Sequence, residues 1–206
     1  MVGPTSAGRT GIAMADWTGL TYVVVDVEGN GHQPPDLVEL AAVPIVGGII
    51  GEPTTWLVKP DQPIKYFATR IHGLTNHDVS AAPTFAAIKD NVLAALEADA
   101  LVAHNAHVDV SVLHRKLSDW TTPEVFDTLK LARRLLPDVG SYKLGTLVER
   151  FKLAEELPDG LTPHRAGYDA LVAARLFVHL ASDARTLEAL RGDPPGGGSD
   201  EASALF

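Results

Sequence analysis

The run Tyr22-Val23-Val24-Val25-Asp26-Val27-Glu28-Gly29-Asn30-Gly31 constrains the fold more than any other part of the chain. Its valines favour a pleated, packed strand, yet two acids stand inside that apolar text. Side chains alternate along a strand, so Asp26 and Glu28 point to the same face. Neighbouring carboxylates repel, which raises the pKa of one of them or calls for a cation. A strand-borne D-x-E pair also occurs where both acids simply reach water or a basic partner. The rest of the chain has to decide between these.

Downstream, the elements follow a recognisable order. After the polar break GNGHQPPD, the segment LVELAAVPIV reads as a second strand, and IIGEPTTWLVKP as a third beyond the Gly47-Gly48 turn. Short connections make these three antiparallel neighbours. TFAAIKDNVLAALEAD has helical apolar spacing through Phe85, Ile88, Val92 and Leu96, with Thr84 placed as N-cap. ALVAH is a short buried strand, VDVSVLHRKL a helix, EVFDT a fifth strand and LKLARRLL a helix stopped by Pro137. Two more helices read from YKLGTLVERFKL and AGYDALVAARLFVHLASDA. Three antiparallel strands followed by strand–helix alternation predict an α/β fold, a mixed five-stranded sheet flanked by helices. The expected domain spans residues 19–184. Residues 1–18 and the Gly/Pro-rich residues 185–206 are expected to be flexible.

Two later segments bring more acids and a histidine. In LVAHNAHVDVSVL, His104 and Asn105 end a strand and Asp109 opens the next helix. In LTPHRAGYDALVAARLF, His164 sits on a loop and Asp169 in the first turns of the last long helix. Each has an ordinary explanation: Asp109 and Asp169 as acids favoured at a helix N-terminus, His164 as a polar cap. Taken together, one strand end and two helix starts could gather Asp26, Glu28, Asp109, His164 and Asp169. A zinc site from His104, His107 and His164 is the weaker option, because carboxylates outnumber imidazoles and the chain has no cysteine. The same lack of cysteine removes disulfides and thiol nucleophiles.

The ordered set D-x-E, H-N-A-x-x-D and H-x-x-x-x-D resembles the DEDDh 3′–5′ exonucleases of the ribonuclease H-like superfamily. TRIHGLTNHDV and DTLKLARRLLPDVGSYKLGTLVERFKL resemble further segments of that family, over about Leu20 to Ala184. LARRLLP and PDGLTPHRA bring the small exonuclease X group nearest. The resemblance implies two divalent ions, Mg²⁺ with Mn²⁺ able to substitute, roughly 3.5–4 Å apart. Asp26 would bridge them, Glu28 and Asp169 would complete one shell, and Asp109 would hold the second ion. His164 would be the general base toward the attacking water, a task that suits imidazole. Gly29, His72, Gly73 and Leu74 would meet the terminal nucleotide. The product would be a 5′-mononucleotide, and the partner a single-stranded 3′ end, DNA in preference to RNA.

Two features stand apart from that pattern. Most relatives continue D-x-E with Thr-Thr-Gly, whereas this chain has Gly29-Asn30-Gly31, which predicts a more flexible loop. The formal charge of −9 argues against a broad electrostatic grip on nucleic acid, although Lys130, Arg133, Arg134 and Lys143 could line a strand path. Two other readings stay open: an RNA-trimming exoribonuclease on the same scaffold, and a proofreading-type subunit bound to a polymerase or sliding clamp through the terminal EASALF. No apolar run has the length of a membrane span and no hydrophobic signal core opens the chain, so a cytoplasmic protein without membrane contact is expected.

Overall fold

The computed structural model describes residues 16–192 of the 206. Of the stretches expected to be flexible, 1–18 and 185–206, residues 1–15 and 193–206, including EASALF, lie outside the described residues. The central strand β1 (Thr21–Gly29) pairs antiparallel with β2 (Leu37–Val46) and parallel with β5 (Ala100–Ala103), which pairs parallel with β6 (Glu124–Asp127). Two short strands, β3 (Ile49–Ile50) and β4 (Thr54–Leu57), both pair with β2 on its other side. The expected third strand is therefore present in two pieces. Gly51 closes the gap by donating its N–H to the Pro44 carbonyl at 2.8 Å, and Pro53 has no N–H to continue the ladder.

Helices cover both faces of the mixed sheet. On one face lie α4 (Thr128–Leu135), α5 (Leu144–Phe151) and α6 (Ala166–Ala184), packed on Tyr22, Val24, Ala41, Val43 and Val102. On the other lie α2 (Phe85–Ala95) and α3 (His107–Lys116), packed on Val23, Val25, Leu40 and Leu101. The alternation of β1 is thus spent on two cores, and its even-numbered residues face α6. Phe85, Ile88, Val92 and Leu96 are buried as the spacing predicts. Thr84 has an extended backbone ahead of α2, but its side chain makes no capping hydrogen bond.

Three features extend the sequence reading. Trp17 is 6% exposed and its carbonyl accepts the Tyr22 hydroxyl at 2.6 Å, so the packed unit begins before residue 19. Beyond Ala184, α7 (Leu187–Arg191) buries Leu187 and Leu190 in the same core. Between β4 and α2, the helix α1 (Tyr66–His72) ends at Gly73, whose φ of 78° is the left-handed conformation glycine adopts freely. No helix among the described residues is long and apolar enough to cross a membrane.

Candidate active site

Because Tyr22 and Val24 face α6, Asp26 and Glu28 continue that face toward the start of the same helix. There they meet Asp169, and one carboxylate oxygen from each of Asp26, Glu28 and Asp169 lies within 4.8 Å of the other two. Close approach of α6 depends on Gly167, where an added Cβ would come within 3.1 Å of the Thr55 hydroxyl. Asp109 reaches the site from the other layer. It is 5% exposed, and its Oδ1 accepts the Val27 N–H at 3.1 Å. This replaces the ladder partner that β5 does not supply at that position, since β5 pairs with β1 only through Val24.

Burial raises all four carboxyls, and neighbouring acids of the site add to it at Asp26 and Glu28. Burial holds the Asp26 carboxyl well above the usual range, reinforced by Asp109, Glu28 and Asp169. Burial also lifts Glu28 to about 8, with Asp169, Glu39 and Asp109 adding to the effect and Arg165 opposing it. Burial raises Asp109 against the pull of its backbone N–H partners. Asp169 is raised by burial and partly offset by the His164 imidazole and backbone N–H. A cluster of hard carboxylate oxygens that resist ionising together fits divalent cations that prefer oxygen ligands. Among the described residues no group of imidazoles gathers in this way. His104 is instead engaged by the Thr128 hydroxyl at 2.9 Å and the Tyr142 carbonyl at 3.0 Å.

His164 is exposed on the loop entering α6, with a left-handed φ of 62°. The next residue is anchored. Arg165 donates from Nε and Nη2 to the two carboxylate oxygens of Glu39 at 2.9 and 2.5 Å, and the Ala166 N–H donates to the same carboxylate at 2.9 Å. Glu39 is 1% exposed and stands opposite Glu28 across the β1–β2 ladder. It caps α6 from a distant strand, a task the N-cap Arg165 leaves undone. The sequence reading missed Glu39, although an acid inside an apolar strand is the same anomaly that exposed Asp26.

The residues expected to meet the terminal nucleotide differ in exposure. His72 is 4% exposed, with Nε2 donating to the Gly29 carbonyl at 3.3 Å and Nδ1 accepting the Leu74 N–H at 3.1 Å. Leu74 is itself buried with Val38, Ile64, Ala68 and Val79. Both support the site from behind, while Gly73 is exposed. At Gly29, an added Cβ would lie 3.0 Å from Pro35 Cβ, a packing reason for glycine there. The Gly29-Asn30-Gly31 loop is held, not loose: Asn30 is fully buried. Its backbone pairs with Asp36 and Lys65. Its side chain binds the Gln62 carbonyl and the His32 and Asp36 N–H groups. The four basic residues form no single path. Arg133 and Lys143 line a cavity of about 470 Å³ beside His104. Lys130 and Arg134 line another of about 700 Å³ at the β6 edge, and Arg134 is committed to the Ala189 and Leu190 carbonyls.

Residues 23–177 match the exonuclease family designated RNase_T, and the chain belongs to this family of DEDDh-type 3′–5′ exonucleases. Exodeoxyribonuclease 10 of Escherichia coli is 36% identical over 157 residues, which cover 76% of this chain and 67% of that protein. The 3′-5′ exonuclease DinG of Bacillus subtilis is 32% identical over 173 residues, which cover 81% of this chain and only 18% of that longer protein. The solved structure of exonuclease X in complex with 5′ overhanging duplex DNA aligns with a TM-score of 0.66 at 31% identity, covering 82% of this chain and 99% of the other.

Proposed function

We propose that this exonuclease removes 5′-mononucleotides one at a time from the 3′ ends of single-stranded DNA. The observation that carries the reading is the meeting of Asp26, Glu28 and Asp169, with one oxygen of each within 4.8 Å of the others. These three residues and Asp109 would hold two divalent ions, Mg²⁺ or Mn²⁺. When bound, the ions supply Lewis acidity toward the scissile phosphate and its leaving oxygen. His164 takes the proton of the attacking water, its exposed position leaving the imidazole free to reach a strand end. The Glu39–Arg165 pair fixes where that loop joins α6. Asn30 and His72 hold the Gly29 carbonyl and the loop after Glu28 in place, so that the strand end meets a rigid rim.

The relative exonuclease X is seen with 5′ overhanging duplex DNA, which makes a recessed 3′ end the second substrate to compare. The test sets 5′-labelled DNA, RNA and 5′-overhanging duplex side by side with Mg²⁺. We expect a ladder shortening from the 3′ end, fastest on the single DNA strand. A faster ladder on RNA or on duplex would overturn the substrate assignment, and no shortening with Mg²⁺ or Mn²⁺ would overturn the activity.

A further inference from the structure

Beside the acidic site, α1 turns an unusual surface to solvent. Tyr66, Phe67 and Ile71 are 78%, 55% and 57% exposed, while the helix buries only Ala68 and His72. Helical spacing sets Phe67 above Ile71 and Tyr66 above Arg70, one turn apart. Between Asp61 and Asp78 the chain has no acid, and it carries Lys65 and Arg70, both exposed. In a chain of net charge −9 this is a local inversion of sign.

The face is continuous with the rim of the site. At its C-terminal end His72 binds the Gly29 carbonyl, one residue from Glu28. Nearer its start, Phe67 lies against Gly31, where an added Cβ would come within 2.8 Å of Phe67 Cζ. Exposed rings interleaved with cations suit the π-faces and phosphates of an unpaired strand. A few side chains on a seven-residue helix offer far less than the roughly 800 Å² per partner of a stable protein interface.

We propose that this face of α1 is a stacking surface for unpaired bases of the strand whose 3′ end enters the acidic site. Tyr66 and Phe67 supply ring faces, Ile71 an apolar edge, and Lys65 and Arg70 the charge for the phosphates. The inference rests on the nuclease reading. It accounts for how an acidic protein retains a strand: stacking tolerates any base and needs few ionic contacts.

Tyr66→Ala and Ile71→Ser alter exposed side chains and leave the buried Ala68 and His72 in place. Binding of a short labelled oligodeoxythymidylate is followed by anisotropy, with Ca²⁺ in place of Mg²⁺ to prevent cutting. Each variant is expected to weaken binding, Tyr66→Ala by about tenfold, with KM raised in parallel and the thermal midpoint unchanged. Unchanged affinity in the variants, when the wild type binds, overturns the stacking surface and leaves the nuclease reading standing. A wild type that neither binds nor shortens the strand overturns both. A variant with wild-type affinity but a lower sedimentation mass assigns the face to contact between protein chains, and overturns the proposal too.

Discussion

At the scale of single residues, the site is defined by charges that need a counter-ion. Glu28 has an ordinary value of 4.5 and is lifted to about 8 in the fold. Between these values the unfolded chain has released its proton while the folded chain keeps it. Stability is therefore full below about pH 4.5 and declines as pH rises through about 8. Asp26, Asp109 and Asp169, also raised, act in the same direction. Without divalent ions, the thermal midpoint should fall between pH 6 and pH 8, and the midpoint gained on adding Mg²⁺ should be larger at pH 8. A midpoint that rises over that range in EDTA would contradict the ionisation scheme. Glu39 makes a different kind of contribution, through position. Glu39→Gln removes the charge that pairs with Arg165, and with Arg165 partly solvated the stability loss should be about 1–3 kcal/mol. If the pair positions the His164 loop, kcat should fall more than tenfold with KM little changed, whereas a purely structural role would leave kcat intact in the folded fraction.

Elements explain what was legible and what was not. β2 and α6 were readable residue for residue, because long apolar text with a clear period leaves little choice. Asp26, Glu28 and Asp169, which the fold brings together, stood out in the sequence because acids inside apolar segments are costly enough to be noticed. By contrast, α1 escaped because its aromatic residues face solvent and give no amphipathic pattern. α7 escaped because five residues in linker-like text owe their helix to docking on α6. Glu39 escaped because its partner Arg165 lies 126 residues along the chain. The loop after Glu28 was misread for a related reason: glycines suggest mobility, but Asn30 is held by Gln62 and Lys65 from far along the chain as well as by His32 and Asp36 nearby. Its rigidity makes a sharp prediction. Gly31 has a φ of +80°, strained for any other residue, and a Cβ there would press on the tip of the Phe67 ring. Gly31→Ala should cost about 1–3 kcal/mol and lower activity, measured by urea unfolding and by ladder rate. A neutral effect on both would mean that the loop can move without consequence.

At the scale of the whole molecule, the sheet separates support from chemistry. Below the site, Trp17, Tyr22, Phe126 and Phe177 form one aromatic core, with Tyr22 and Phe177 centroids 4.8 Å apart. That core fixes β1 against α6, and β1 then carries its alternation onward from packed rings to half-buried carboxylates. The same face that buries Tyr22 and Val24 presents Asp26 and Glu28 to Asp169. Strand register thus sets Asp26 and Glu28 side by side, α6 adds Asp169 and α3 adds Asp109, an acidic cluster that could bind metal. The most direct test of this account is digestion of a 5′-labelled single strand by wild type and Asp26→Asn, with Mg²⁺, Mn²⁺ or EDTA. We predict metal-dependent shortening from the 3′ end by the wild type. Asp26→Asn should slow it by at least about a hundredfold without lowering the thermal midpoint in EDTA. A folded Asp26→Asn variant that shortens the strand at the wild-type rate would contradict the central claim.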